Sequence, residues 1–326
     1  MHVFATMLCD KGPNPFDADR LPMKTLARLI LLAATLLAGN ARAEERVTLG
    51  WGRLFTNDAL GDGEDRWNTG SYAVSKVMGL RWGGQLPDRP GEIWEYRFSA
   101  NTIAPANLIA PDPSDRLYAG ALSLGATTYF DLRGFDVSLG GGLTFIGPST
   151  GLGQFQSAVH EILGLDVPTS VLDDQLPDQI HAVATAEIVR DLALGPSTRL
   201  RPFVAVRAGT EDLLRVGADL IIGGYGKSDL LLRDAITGHL VRGVSGDSAP
   251  QFSLLIGADR AQVFSSVFLP EGGAAVMTPQ RDRIRAGYFW QGKSATAFSG
   301  LTWLSPEFDA QPDGQILGSF SLSFSF

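Results

Sequence analysis

His160 is one of only four histidines in 326 residues, and Gln156 sits four places before it. On a helix that spacing puts both side chains on one face. A neutral imidazole at a water boundary is a natural general base near neutral pH, and a glutamine beside it can orient it or bind a substrate carbonyl. Taken alone, such a histidine is more often a surface or satisfied residue. His181 and His239 carry no visible constellation. A second group of polar side chains follows Arg53-Leu54-Phe55-Thr56: Asn57-Asp58, then Asp62, Glu64, Asp65 and Asn68. Hard carboxylate and amide oxygens suit Ca²⁺, which takes six to eight of them. The run Asp62-Gly63-Glu64-Asp65 is not an EF-hand loop, so any ion there depends on oxygens gathered by tertiary structure. An ordinary acidic turn is the plainer reading of the same residues. There is no His-Glu-x-x-His motif. Gly140-Gly141-Gly142 falls within a strand pattern, where glycine permits close packing or bending.

The elements that position these residues are strands. The last residues alternate strictly, with Phe320, Leu322, Phe324 and Phe326 on one face and Ser319, Ser321, Ser323 and Ser325 on the other. Ile284, Tyr288 and Trp290 oppose Arg281, Arg283 and Arg285 in the same way, and Leu200, Val204 and Val206 oppose Arg199, Arg201 and Arg207. Arginines confined to one face suit a polar lumen, with the apolar face against lipid. A soluble sandwich would alternate similarly but bury its apolar face in protein. Twelve strands are predicted, near 46–56, 69–83, 91–102, 116–131, 134–146, 179–192, 198–209, 213–225, 250–266, 281–292, 295–305 and 314–326. The even count suits closure into an all-β antiparallel transmembrane barrel. Residues 147–178 interrupt the strands. Phe155, Val159, Ile162 and Leu163 recur there at helical spacing with Gly164 as a C-cap, predicting a short loop helix that serves as a plug or lid, or carries a site.

Residues 23–43 read as a secretory signal peptide, with Lys24 and Arg28 before an apolar run and Ala41-Arg42-Ala43 as the cleavage site. Met23 is the expected start, residues 1–22 being a misannotated leader, and residues 44–326 form the barrel. The whole chain carries a net charge of −8. The acidic balance argues against a nucleic-acid surface. The single cysteine, Cys9, leaves with the leader, which excludes thiol catalysis and disulfides in the mature chain.

Four stretches, in order, resemble the outer-membrane lipid A 3′-O-deacylase (LpxR) family. They are Asn57-Asp58; Asp65-Arg66-Trp67-Asn68-Thr69-Gly70; Asp115-Arg116-Leu117-Tyr118-Ala119-Gly120; and Gly147-Pro148 through Gln156 to His160, with Asp174-Gln175 trailing. The resemblance implies a twelve-stranded barrel in the outer membrane, a monomer, with its site between the wall and an extracellular loop helix. It implies Ca²⁺-dependent hydrolysis of the 3′ acyloxyacyl ester of lipid A in lipopolysaccharide. By position, His160 would activate water, Asn57 and Asp58 would belong to the Ca²⁺ and oxyanion region, Gln156 would support the site, and Asp166 would supply a further carboxylate to the metal. The chain departs from the family where threonine gives way to Asn68, and where a Lys-Arg pair after the third strand is missing. Two other readings stay open: a non-catalytic barrel acting as a pore or lipid-binding protein, and a calcium-dependent esterase acting on phospholipid.

Overall fold

The computed structural model describes residues 45–165, 167, 169–246 and 249–324. The leader read as a signal peptide, Asp166 and Phe326 lie outside the described residues. Each predicted strand is present: β1 (Val47–Asn57), β2 (Trp67–Gly79), β3 (Ile93–Ala104), β4 (Ala119–Leu132), β5 (Phe135–Ile146), β6 (Gln179–Val189), a short β7 (Leu192–Gly195), β8 (Thr198–Ala208) and β9 (Glu211–Ile222). A hairpin, β10 (Leu230–Arg233) and β11 (Leu240–Val244), precedes β12 (Gln251–Ser266), β13 (Gln280–Gln291), β14 (Ala295–Leu304) and β15 (Gln315–Phe324). Antiparallel neighbours run in order from β1 to β6, then β8, β9 and β12 to β15, and β15 pairs back onto β1 through Phe55–Asn57. That ring of twelve strands is closed, its β1–β15 seam paired at Phe55–Asn57 toward the rim opposite the chain ends, and closure is what a bilayer requires of a spanning sheet. The β7 segment continues β6 along β8 after the break at Arg190-Asp191.

Burial is inverted relative to a soluble protein. Ile284 is 56% exposed and Phe324 61%, while Arg283 and Arg285 on the alternate face are nearly inaccessible. The apolar belt therefore faces outward and the arginines face the lumen, which is the pattern of a membrane-spanning barrel.

The lumen is filled from the rim that holds both described ends of the chain. The connection between β9 and β12 folds inward as the β10–β11 hairpin, and Tyr225 and Leu240 pack on Leu54, Leu255, Phe289 and Phe298 from four wall strands. Its turn reaches Arg283, which donates to the carbonyls of Ala235 and Ile236 at 2.9 Å each. His239 lies beside Thr302 Oγ1 at 3.1 Å. This hairpin was not foreseen, because four- and five-residue strands carry too few alternations to register. This connection fills the lumen from one rim, while Leu176 of the 147–178 insertion packs on the inward-facing Ile103, Ala119, Ala121 and Ile146 at the other. Intact chain in planar bilayers is expected to stay non-conducting, and a chain shortened across 229–246 is expected to show ion conductance while keeping the heat-modifiable gel mobility of a closed barrel. Equal conductance by the two would refute the plug.

The 147–178 insertion forms helix α1 (Leu152–Leu163) and a single turn, α2 (Thr169–Asp173). Gly164 ends α1 in the left-handed region (φ 68°), with the Leu165 N–H on the His160 carbonyl at 2.8 Å. The helix lies at the rim opposite the chain ends, against β3 and β4.

Candidate active site

Two segments meet at that far rim. The first is the β1–β2 connection. Asn57 ends β1 with both ends of its amide engaged: Oδ1 accepts from the Ala59 N–H at 2.9 Å and Nδ2 donates to the Thr69 carbonyl at 2.7 Å. Asp58, only 1% exposed, accepts from the N–H groups of Ala59 (2.9 Å) and Arg66 (2.8 Å). Burial pushes its carboxyl up to about 8; the Arg66 and Ala59 backbone donors oppose this, and the negative charges of Asp65 and Asp62 add to it. Trp67 then enters the left-handed region at φ 53°. A non-glycine residue there costs on the order of 1–3 kcal/mol and persists only when its surroundings hold it. Its ring is buried among Leu269, Ala275 and Phe308, with the Arg66 guanidinium 4.3 Å above it.

The second segment is the helix. Its buried face carries Gly153, Gln156 and His160, while Phe155, Ile162 and Leu163 are exposed. A soluble amphipathic helix buries the opposite face. The third family-like stretch explains how α1 is seated. A Cβ on Gly120 would lie 2.6 Å from Thr150 Oγ1 and 2.9 Å from Leu152 Cβ, so only glycine lets the start of the helix close on β4. Arg116 is anchored on Glu307. Tyr118 OH donates to Gln156 Oε1 at 3.0 Å.

The two segments join through Asp65. Its Oδ2 lies 3.0 Å from His160 Nε2, and its Oδ1 accepts from Gln156 Nε2 at 3.4 Å. Gln156 Nε2 also lies 3.5 Å from His160 Nε2. The result is a chain of contacts, Tyr118–Gln156–Asp65–His160, in which the tyrosine fixes which end of the amide faces the carboxylate. Burial pushes the Asp65 carboxyl above its ordinary value; His160 and the Gln156 bond pull it back down in part. Such a carboxylate–imidazole pair can hold an imidazole in one orientation and stabilise the cation formed when it takes a proton.

His160 and Gln156 therefore share one buried face, at the rim that also holds Asn57 and Asp58. Asn68 turns elsewhere. Its backbone N–H donates to Gln315 Oε1 at 3.1 Å, and its side chain bonds Glu307, which Arg281 and Arg116 hold below the usual carboxylate range against the effect of burial. Sequence reasoning counted Asp65 among the acidic oxygens of the β1–β2 turn but not as the partner of His160, and it gave Tyr118 no role. Each stood inside a stretch already quoted, with an acid or phenol in plain view. What sequence could not give was the fold-back that puts the second and third stretches against the fourth.

A family model, Outer membrane protein LpxR, matches residues 26–326. The chain belongs to the LpxR family. Among solved structures it is similar to LpxR from Salmonella typhimurium, at 16% identity and a TM-score of 0.70, with 85% of this chain and all of that one covered. It also matches the NanC porin, at 6% identity and a TM-score of 0.40, covering 85% of this chain and all of the porin. No curated protein is similar to it in sequence. Family and fold together make this LpxR-family chain a β-barrel of the Gram-negative outer membrane.

Proposed function

We propose that this LpxR-family protein hydrolyses an acyl ester of lipid A in the outer leaflet, His160 serving as the base that takes a proton from the attacking water. The observation that carries the reading is the Tyr118–Gln156–Asp65–His160 chain of contacts at a rim bordered by exposed Leu60, Leu117, Phe155 and Ile162. An ester at the membrane boundary presents acyl chains to such a greasy border and its carbonyl to the polar group behind it. Asp65 steadies the imidazole and offsets its charge. Gln156 holds the carboxylate in place. Hydrolysis by a base and water needs no serine acyl-enzyme. The closed lumen speaks against a pore.

The donor chemistry fits a calcium ion in part. Asp58 and Asp65 are desolvated carboxylates near enough for each charge to be felt by the other, and the Asn57 amide oxygen lies beside them. Hard oxygens of that kind suit Ca²⁺. Among the described residues no three His, Cys, Asp or Glu converge, so the ion would draw the rest of its six to eight oxygens from uncharged groups and water. When bound, calcium would supply positive charge to the ester oxygen as it becomes an oxyanion. Chelation is expected to lower deacylation about 10²–10³-fold, the usual worth of oxyanion stabilisation. Added Ca²⁺ should restore it in the natural chain and not in Asp58→Ala. Mass spectrometry of lipid A with and without chelator reads this directly, and full activity in chelator would sink the metal.

The charge of the far rim favours a second reading. The described residues of its six connections carry fourteen carboxylates against two guanidiniums, Arg66 and Arg116. Arg116 is already buried against Glu307, and Arg66 lies over Trp67. Such a rim repels a headgroup bearing two phosphates more than a zwitterionic one. A phospholipid ester is the substrate that reading names. Fatty acid released from phosphatidylethanolamine vesicles, with lipid A left intact, would establish it in place of the first.

A further inference from the structure

The Gly140-Gly141-Gly142 run has no part in the chemistry above. In β5 it alternates like its neighbours. Gly140 and Gly142 face inward, and Gly141 faces the lipid, on the same side as exposed Leu143. A Cβ on Gly142 would strike the Leu124 carbonyl at 2.2 Å, so the sheet itself demands glycine there. Gly141 is different. A Cβ on it would meet only the Val183 carbonyl, at an ordinary 3.6 Å. Nothing in the backbone excludes a side chain at that position. What glycine provides is space on the outer wall.

That space is the floor of a groove of about 500 Å³ running across β1 to β5. Trp51, Tyr96, Leu124 and Leu143 stand as its walls, each between 45% and 55% exposed, and Ala126 joins Gly141 in its floor. A convex barrel wall usually presents ridges to lipid; here large side chains flank small ones and leave a trough. The strands that carry it are those that carry the site at their upper ends. β2 begins two residues after Asp65, and α1 rests on β3 and β4. Gly141 lies five residues below the top of β5, and Ala126 seven below the top of β4. At ~3.3 Å per residue and a tilt of ~35–45°, the floor lies about 12–18 Å beneath the rim. One leaflet of hydrocarbon is about 15 Å deep, half of the ~30 Å core.

We infer that this groove is the subsite for the acyl chain of the ester being hydrolysed, and that Gly141 and Ala126 set its preference for long chains. The inference rests on the deacylase reading for its substrate. The occupant follows from position and chemistry: an ester held at His160 sends its chain down this wall, and the groove is apolar, open to lipid and at the depth a long chain reaches. Lys76, near the lower end of β2, also borders the groove. It would suit the headgroup of an inner-leaflet phospholipid, a rival occupant that the experiment separates.

The test compares the purified natural chain with Gly141→Leu and with Ala218→Leu, a control on the lipid face of β9. In detergent micelles each is given glucosamine 3-O-esters bearing a myristoyl or a hexanoyl chain. Filling the floor should lower kcat/KM about tenfold on the myristoyl ester, the worth of roughly two buried methylenes, and leave the hexanoyl ester within about twofold. Ala218→Leu should change neither. Equal loss on both esters, or loss on neither, overturns the inference. Occupancy is read independently with a dibrominated hexadecyl ether glycolipid, which cannot be hydrolysed, through quenching of Trp51 (the signal lost in Trp51→Phe). Quenching should saturate in the natural chain and vanish in Gly141→Leu. If the natural chain cleaves neither ester, the deacylase reading has failed and with it the substrate role, and quenching alone then decides whether the groove holds a chain at all. Saturable, Gly141-dependent quenching with unchanged chain preference identifies a resident lipid and overturns the subsite.

Discussion

Replacing His160 with asparagine lowers deacylation of lipid A by about 10²–10⁴-fold, the span a positioned general base supplies. Asparagine keeps a polar group on the buried face of α1, though not the reach of Nε2 to Asp65, and the closed ring of wall strands does not depend on it, so the barrel should fold and migrate as the natural chain does. The loss should fall on kcat and spare KM, because a proton taken in the transition state contributes nothing to ground-state binding. Asp65→Asn is the companion. It keeps the shape and the reach to Gln156 but removes the charge that steadies the imidazole as it takes a proton, so its kcat should fall as well, by less than that of His160→Asn. Combining the two should cost little more than His160→Asn alone, since Asp65 acts through His160. Additive losses would mean that the carboxylate works on its own. Activity in His160→Asn within about twofold of the natural chain would remove the base altogether. Lipid A mass spectrometry, or fatty-acid release in micelles, reads each outcome.

The parts of this arrangement that sequence made legible share a property: their signal is periodic or contiguous. The twelve wall strands showed because a barrel wall has to alternate, and arginine against tryptophan or phenylalanine is a strong contrast at period two. Helix α1 showed through Phe155, Val159 and Ile162 at helical spacing and through Gly164 behind it. The direction in which that helix faces was not legible. Its apolar stripe would bury in a soluble protein, and here it is the polar pair Gln156 and His160 that packs inward while Phe155, Ile162 and Leu163 stay exposed. Asp65 as the partner of His160 is a contact across 95 residues, fixed by barrel closure and by the reversal at Trp67, and neither has a periodicity to read. The β10–β11 hairpin was missed for a related reason. Its residues are neither all apolar nor strictly alternating, since each faces both a charged lumen and a neighbour in its own hairpin.

The same lumen sets the largest stability effect to be expected. Asp259, on β12, has a fully buried side chain and accepts from three guanidiniums: Arg215, Arg283 (2.9 and 3.2 Å) and Arg285. Arg285 also reaches Asp219 through Nε at 2.9 Å, and Arg233 of the hairpin reaches the other oxygen of Asp219 at 2.8 Å. Substitution of Asp259 by leucine leaves three desolvated cations facing one another with Asp219 as the nearest anion. Removing one member of such a buried set typically costs about 3–5 kcal/mol, because the charges left behind are uncompensated rather than because the pair was strongly favourable. The temperature at which the barrel loses its compact gel mobility should fall accordingly. Adding Arg283→Met to Asp259→Leu should restore part of the loss by removing one stranded charge. A double variant no more stable than the single would show that water already screens this lumen. Arg283 also clamps the turn of the hairpin through the carbonyls of Ala235 and Ile236, so Asp259→Leu should admit ions as well as melt earlier, the free guanidinium no longer being held where the turn needs it. Destabilisation without conductance would separate the two roles, leaving the ion cluster as support for the wall and the apolar contacts of Tyr225 and Leu240 as what keeps the channel shut.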